Sequence, residues 1–250
     1  APALPDGVRR VAERPDGAGL HVHPGWAATL PWTIQGVTGR DGDMSLFGGA
    51  KTGEVIPRWQ QLRDRLLCRS IVHARQIHRD TVLRHDTLPQ GLVIGPDADG
   101  HATRLTRALL AVSVADCVPI FVAATGSQSI AMLHGGWRGV AAGILERGVE
   151  VLHDAYQAAP ADLHVHFGPA ICGECFEVGP EVPHGLGLTD GDVSHVDLRA
   201  LLAHRAIALG VDPARVTVSA YCTRHGRSPF YSHRGGCAER QIAVLGARPA

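Results

Sequence analysis

Three short and almost wholly apolar runs follow one another closely: Leu109 to Val114, Ile120 to Ala123 and Ile130 to Leu133. Runs of this length, rich in Val, Ile and Leu, read as buried strands, because a helix needs about ten or more residues. A chain carrying them has to fold as a layered structure around a sheet. The residues that close the runs carry chemistry. Ala115-Asp116-Cys117-Val118-Pro119-Ile120 stands behind the first, and His134-Gly135-Gly136-Trp137-Arg138-Gly139 opens behind the third. A thiol and an imidazole, each at the carboxyl end of a buried strand, are placed to converge at one edge of the fold. Cys with His is the side-chain chemistry of a zinc site or of a cysteine nucleophile.

Further strands are expected at Ile71 to Val72, Leu163 to Phe167 and Val216 to Tyr221, and the first forty residues read as strands and turns. Helices are expected from Pro57 to Leu67, from Val140 to Ala155, and from Asp197, a plausible N-cap, to Leu209, with Gly210 as its stop. Strands and helices mix without strict alternation. That favours an α+β fold, a single-domain layered sandwich of mixed β-sheets flanked by helices, over a doubly wound parallel sheet. A length of 250 residues suits one such domain and does not require a second.

The composition narrows the partners. Lys+Arg and Asp+Glu balance at 24 each, which argues against a nucleic-acid-binding surface. No apolar run approaches the roughly 20 residues that span a bilayer, and the first residues lack the layout of a secretory signal. The expectation is a cytoplasmic protein, monomeric or a small homo-oligomer, with no nucleic-acid or membrane partner. Six cysteines do not make a disulfide scaffold in a chain of this length. Cys172-Gly173-Glu174-Cys175 has redox-motif spacing but does not open a helix after a strand, so its thiols are expected to be buried and without a redox or metal role.

Three segments hold polar residues that packing alone would not want: His73-Ala74-Arg75-Gln76-Ile77-His78, the Asp116–Cys117 pair, and His134 to Gly139. From 78 to 117 is 39 residues, and from 117 to 134 is 17. Those intervals exclude a local zinc knuckle and suit a catalytic metal held by three ligands from different strands, with an open position. A thiolate with two imidazoles fits zinc better than magnesium or calcium. Residue by residue, a metal site and unrelated buried side chains both remain open, since 15 histidines supply accidental candidates. The glycines after His134 could turn backbone N–H groups toward an anion, with Arg138 as a clamp. His21-Val22-His23 and His164-Val165-His166 each put two imidazoles on one strand face, an arrangement that can bind copper. His225, His233, Arg234 and Arg240 crowd the C-terminal segment, where some could close over a substrate.

Taken in order, six segments resemble the bacterial laccase-domain, or polyphenol-oxidase-like, family, regarded as zinc-containing purine nucleoside phosphorylases. Thr38 to Leu46 is similar to the family's Thr-Thr-Arg-x-Gly-Gly-x-Ser-Leu opening, and Gln76-Ile77-His78 to its Gln-Val-His. Ala115 to Ile120 is similar to its Ala-Asp-Cys-x-Pro motif, and His134 to Gly139 to its His-Ala-Gly-Trp-Arg-Gly. Gly168-Pro169-Ala170-Ile171 through Phe176-Glu177-Val178-Gly179, and Phe230 to Arg234 with Arg240, complete the set. The resemblance implies one catalytic domain over residues 1–250, with His78, Cys117 and His134 as zinc ligands and as the catalytic centre. It implies phosphorolysis of adenosine, inosine and methylthioadenosine, with adenosine deamination as a second activity. Arg40, Arg63 and Arg138 are the candidates for holding phosphate, on charge grounds.

The chain departs from that pattern in places. Ser45-Leu46-Phe47-Gly48-Gly49 stands for Ser-Leu-Asn-Leu-Gly, Leu62-Arg63 for an Asn-Arg pair, Gly135 for Ala, and His233 for Tyr or Arg. Losing two Asn side chains bears on the preferred substrate. Three other readings compete: a copper-dependent polyphenol oxidase, a metal-free cysteine hydrolase using Cys117 and His134, and a zinc-binding module without activity. Only two methionines and no Cys flanked by histidines make the copper reading a poor match to multicopper oxidases.

Overall fold

Along the apolar runs, alternate residues pack into different cores, so both faces of the strands are covered. The computed structural model describes residues 3–47, 51–188 and 193–249. Its strands are β1 (Arg9–Val11), β2 (Arg14–Pro15), β3 (Leu20–Val22), β4 (Thr33–Thr38), β5 (Ser70–Ala74), β6 (Val82–His85) and β7 (Gly91–Gly95). They continue as β8 (Gly100–Thr103), β9 (Ala108–Val114), β10 (Val118–Ala124), β11 (Ile130–Gly135), β12 (Leu163–Phe167), β13 (Val216–Ser219) and β14 (Gln241–Ala247). The helices are α1 (Pro24–Thr29), α2 (Thr52–Arg65), α3 (Trp137–Ala142), α4 (Ile144–Tyr156), α5 (Glu181–Gly185) and α6 (Leu198–Ala208).

Two mixed sheets of seven strands result. One runs β1-β13-β12-β10-β11-β8-β6, the other β2-β3-β4-β14-β9-β5-β7. Between them lies a core built from Phe121, Ala123, Ile130 and Met132 of the first sheet and Leu110, Val112, Ala243 and Leu245 of the second. The opposite residues of the same strands face helices. Ile120, Val122 and Leu133 pack with Ile144, Leu145 and Leu152 of α4 and Leu202 of α6. Leu109, Ala111 and Val244 pack with Val55, Trp59 and Leu62 of α2. The arrangement is helix, sheet, sheet, helix, and it explains why the strands show no polar alternation. Each such side chain, fully buried, contributes roughly 1.5–3 kcal/mol. Among the described residues no helix is long and apolar enough to cross a membrane.

Several boundaries differ from those expected. The segment read as one helix from Val140 to Ala155 is two, because Gly143 takes φ +91° and ends α3 before α4 begins. Glycine enters that left-handed conformation without the clash a Cβ would bring. Helix α2 starts at Thr52, ahead of Pro57, because burying Val55 together with Trp59 and Leu62 extends its apolar stripe backward. Asp197 does cap α6, accepting from the N–H groups of Arg199 and Ala200 at 3.0 and 3.3 Å. Strand β14, unread in the sequence, pairs antiparallel with both β4 and β9 and is central to its sheet.

Candidate metal centre

The chain crosses from one sheet to the other between β9 and β10, and Cys117 lies in that crossing. His134, near the end of β11, is paired in register with Pro119 of β10. His78 follows β5 of the opposite sheet. The three thus arrive at one edge from separate elements, and their donor atoms lie within 4.8 Å of one another. The two imidazole rings stand nearly perpendicular, with centroids 4.8 Å apart.

Asp99, which drew no attention in the sequence, organises this edge. Its carboxylate is fully buried and accepts from the backbone N–H of Ile77, His78 and Arg79 at 3.1, 2.9 and 2.8 Å. It also bonds Nδ1 of His134 at 2.8 Å. That contact puts a proton on Nδ1 and turns Nε2 toward Cys117, the usual support of a ligating histidine. The loop it holds is tight: His78 itself has φ +58°, and Asp116 beside Cys117 has φ +87°. Strained backbone of this kind persists where surrounding contacts over-determine it. Gln76 pins the same loop to β9, its amide bonding the N–H and C=O of Ser113 at 2.7 and 2.8 Å.

The electrostatics follow from crowding. Burial alone would push the Cys117 thiol up, but the imidazoles of His134 and His78 outweigh it and bring it down to about 6. Burial lowers His134, yet Cys117 and Asp99 raise it to about 9. Burial likewise raises the Asp99 carboxyl, and the donors from His134, Arg79 and Ile77 more than offset it, holding it below its ordinary value. The centre therefore favours a thiolate at neutral pH, the form needed of a ligand or a nucleophile. The donor set of one thiolate and two imidazoles fits a borderline-soft divalent ion. Gly136 fits it as well: a Cβ there would lie 2.6 Å from Cδ2 of His78 and 3.3 Å from Sγ of Cys117. Packing against the triad, rather than an anion, accounts for this glycine.

Two cavities flank the triad. One, of about 300 Å³, is bordered by Phe47, His73, Gln76 and Arg240 as well as by the three donors. The other, of about 240 Å³, is bordered by His78, Cys117, Trp137, Arg138, Phe176 and Arg234. His233 lines both. Arg138 stacks over Trp137 at 4.3 Å and has no carboxylate partner among the described residues. The other two arginines singled out in the sequence border neither cavity. Arg40 donates to the carbonyl of Phe230 at 2.7 Å, and Arg63 pairs with Asp64 at 2.6 Å. Of the two departures at Asn positions, Phe47 faces a cavity and tilts against His73 at 5.8 Å, whereas Leu62 is core. Gly48 and Gly49 lie outside the described residues.

Among the described residues the His-x-His pairs form no third group of metal-ligating side chains, although Nδ1 of His21 is buried without a partner. His23 accepts from the Trp26 N–H and contacts Thr217, while His166 is held by Thr217 and by Glu13 at 2.8 Å. With both nitrogens of each ring engaged, neither has a lone pair free for copper.

A purine nucleoside phosphorylase of Xylella fastidiosa is 31% identical over 96% of this chain and 92% of its own length. A protein named adenosine deaminase RL5, from an unknown prokaryotic organism, is 35% identical over 54% of this chain and 56% of its own. The crystal structure of YlmD from Geobacillus stearothermophilus superposes with a TM-score of 0.83 at 26% identity, covering 96% of this chain and 100% of that one. A family model described as multi-copper polyphenol oxidoreductase laccase matches residues 42–247. With that span and a relative aligned along nearly the whole chain, the protein belongs to this laccase-like family.

Proposed function

We propose that the whole chain is one catalytic domain, a zinc-dependent purine nucleoside phosphorylase whose metal ligands are His78, Cys117 and His134. The carrying observation is their convergence, with Asp99 behind His134, at the junction of two cavities. The relatives named for nucleoside chemistry supply the substrate class. Held by His78, Cys117 and His134, zinc would supply Lewis-acid polarisation to a substrate in the adjoining cavities.

The chain's own residues then divide the work. In phosphorolysis a phosphate oxygen forms a bond to the anomeric carbon of ribose as the carbon–nitrogen bond to the base breaks. Arg138, free of carboxylates and oriented by Trp137, holds the phosphate with its forked donors. Arg234, on the same cavity wall, adds positive charge, while one of its nitrogens is anchored to the Glu177 carbonyl at 2.8 Å. Arg40, bonded to the Phe230 carbonyl, and Arg63, paired with its neighbour Asp64, border neither cavity and are not assigned to phosphate. Across the junction Phe47, exposed at the cavity rim and backed by the buried His73, offers an aromatic face for a purine. His233, reaching both sides, is placed to hydrogen-bond the nucleoside between them.

Chromatographic product analysis on a panel of nucleosides, with and without phosphate, tests this. Free base and ribose phosphate formed only with phosphate present is the expected result. Consumption of no nucleoside by zinc-loaded protein would overturn it. Inosine formed from adenosine without phosphate adds deamination as a second activity, and makes the chain a deaminase alone if no base is released with phosphate present, as one relative is named. A second reading rests on a specific observation: Cys117, His134 and Asp99 also line up as nucleophile, base and orienting carboxylate. The convergence of His78 favours the metal. Rapid alkylation of Cys117 by iodoacetamide in zinc-loaded protein would favour the hydrolase.

A further inference from the structure

β12 and β13 are parallel neighbours, so their carboxyl ends leave the sheet on the same side. The segments that follow run together, joined by a bridge between Ala170 and Cys222. The first carries Cys172-Gly173-Glu174-Cys175, the second Cys222-Thr223-Arg224-His225. Cys172 closes a tight turn, its carbonyl accepting from the N–H of Cys175 and Phe176 at 3.0 and 2.9 Å, which turns both thiols of the pair to one side. Nδ1 of His225 lies 3.1 Å from Sγ of Cys175 and 3.6 Å from Sγ of Cys172. The backbone N–H of Cys172 donates to Sγ of Cys222 at 3.4 Å. All four donor atoms fall within 4.8 Å of one another.

We propose that these four side chains form a second metal site, a closed structural zinc site of three thiolates and one imidazole. The Cys172-x-x-Cys175 pair has the spacing of the thiolate half of structural zinc sites, and Cys222 with His225 completes a Cys3His set. Four ligands around zinc at about 2.3 Å for sulfur and 2.0–2.1 Å for nitrogen leave roughly 3.5–3.8 Å between ligand atoms. The 3.6 Å from His225 to Cys172 falls in that range, and the 3.1 Å to Cys175 has only to open by about 0.4 Å to reach it. Three sulfurs and an imidazole select a soft or borderline ion over magnesium or calcium. A disulfide between Cys172 and Cys175 would use two of the four groups and leave the approach of Cys222 and His225 without a purpose. Zinc uses all four, displacing three thiol protons as it binds. With every position filled by protein, such a site has no place for substrate, and its role is to clamp the two segments together.

The clamp also bears on the first centre. Thr223 donates to Oδ1 of Asp116 at 2.5 Å, and the Ile171 N–H donates to the Asp116 carbonyl at 3.0 Å. Both partners are immediate neighbours of ligands in the second cluster, and Asp116 is the neighbour of Cys117. Oδ2 of Asp116 further accepts from the Arg234 N–H at 2.6 Å, so the segment after β13 that carries His233 and Arg234 hangs from the same point.

Metal analysis of protein purified under reducing conditions with zinc as the only added metal tests the proposal. The Cys117→Ala protein is the reference, because any zinc it holds does not depend on the first centre. It should retain one zinc per chain, and adding Cys222→Ser should remove it. His225→Ala, at an exposed position, should do the same, and covers the case in which Cys222→Ser fails to fold. Cobalt in place of zinc should show strong thiolate charge-transfer absorption in the Cys117→Ala protein and lose it with His225→Ala. No zinc in the Cys117→Ala protein, zinc that persists after His225→Ala, or a Cys172–Cys175 disulfide found by mass spectrometry would each overturn the proposal. Failure of the first centre reads differently: Cys117→Ala would then leave the zinc content of the parent unchanged.

Discussion

The two Cys/His clusters of this molecule are built in opposite ways. His78, Cys117 and His134 come from three separate elements across both sheets, and none could find the others without the whole fold. Cys172, Cys175, Cys222 and His225 come from two short turns, each of which presents its pair locally. The first cluster has three donors, a buried carboxylate behind one of them, and cavities on two sides. The second has four donors at the outer edge, supported by backbone N–H groups. Three ligands with an open side suit chemistry, and four suit a staple. On the proposed roles, ligand count and the origin of the ligands in the fold, more than residue type, set the two clusters apart.

The strongest way to break this contrast is Cys117→Ala. Activity should fall by about three orders of magnitude or more, the scale of losing a principal electrostatic stabiliser, while the unfolding midpoint moves little. Steady-state kinetics beside thermal unfolding checks it. Activity surviving in that variant would make the first cluster dispensable. Next comes Asp99→Asn, which keeps the shape but offers one carbonyl where a carboxylate served four donors. Zinc affinity or activity at the first cluster should drop by about 10–100-fold. Leaving a buried N–H unpaired should also cost about 1–3 kcal/mol of stability. Competition with a chromogenic chelator reads the affinity, and the Cys117→Ala protein carrying the same change should keep its remaining zinc unaltered.

Acid should separate the clusters more gently. The sandwich around the first rests on imidazoles that stay neutral in the folded chain. Burial holds His73 down at about 4, and burial together with nearby His166 holds His23 at about 3. An unfolded histidine takes up its proton near pH 6.5. Below that pH the unfolded chain binds protons that the folded one refuses, so stability is intact above 6.5 and is lost as pH falls toward 4. Each ring contributes about 1.4 kcal/mol per pH unit across that window. Denaturant unfolding of metal-free protein between pH 7 and 5 should show the slope, and His73→Gln should reduce it. An unchanged slope would assign the acid sensitivity to other groups.

Much of the frame was legible in the sequence because it is local. The runs at 109–114, 120–123, 130–133 and 163–167 are strands within a residue or two, since an unbroken apolar run admits few other uses. The triad was legible as spacing without geometry. Asp99 was not, because an Asp before a Gly in a loop looks like any turn, and only the fold shows that three N–H groups and an imidazole meet there. The second cluster was half visible. Cys172-x-x-Cys175 reads alone as a pair without a redox or metal role and His225 only as one of several polar residues near the C-terminus, and nothing joins Cys222 and His225 to that pair until β12 and β13 set the two segments side by side. The helix break at Gly143 was hidden for a related reason. The apolar stripe continues across it, with Val140 and Ile144 both in the core, so periodicity gives no sign of the left-handed glycine between them.

Thr223→Val gives the smallest effect and the sharpest reading of how separate the clusters are. The valine keeps the volume and removes the one side-chain bond joining Thr223 to Asp116. If the second cluster only staples its own two turns, activity should be unchanged. If it also steadies Cys117 through Asp116, the backbone at φ +87° loses part of what holds it, and activity should fall a few-fold with zinc content unaltered. Loss of one neutral donor to a carboxylate is worth about 1.5–3 kcal/mol at most, which bounds the change. A variant with full activity at every substrate concentration would show that the two clusters share an edge of the molecule and nothing more.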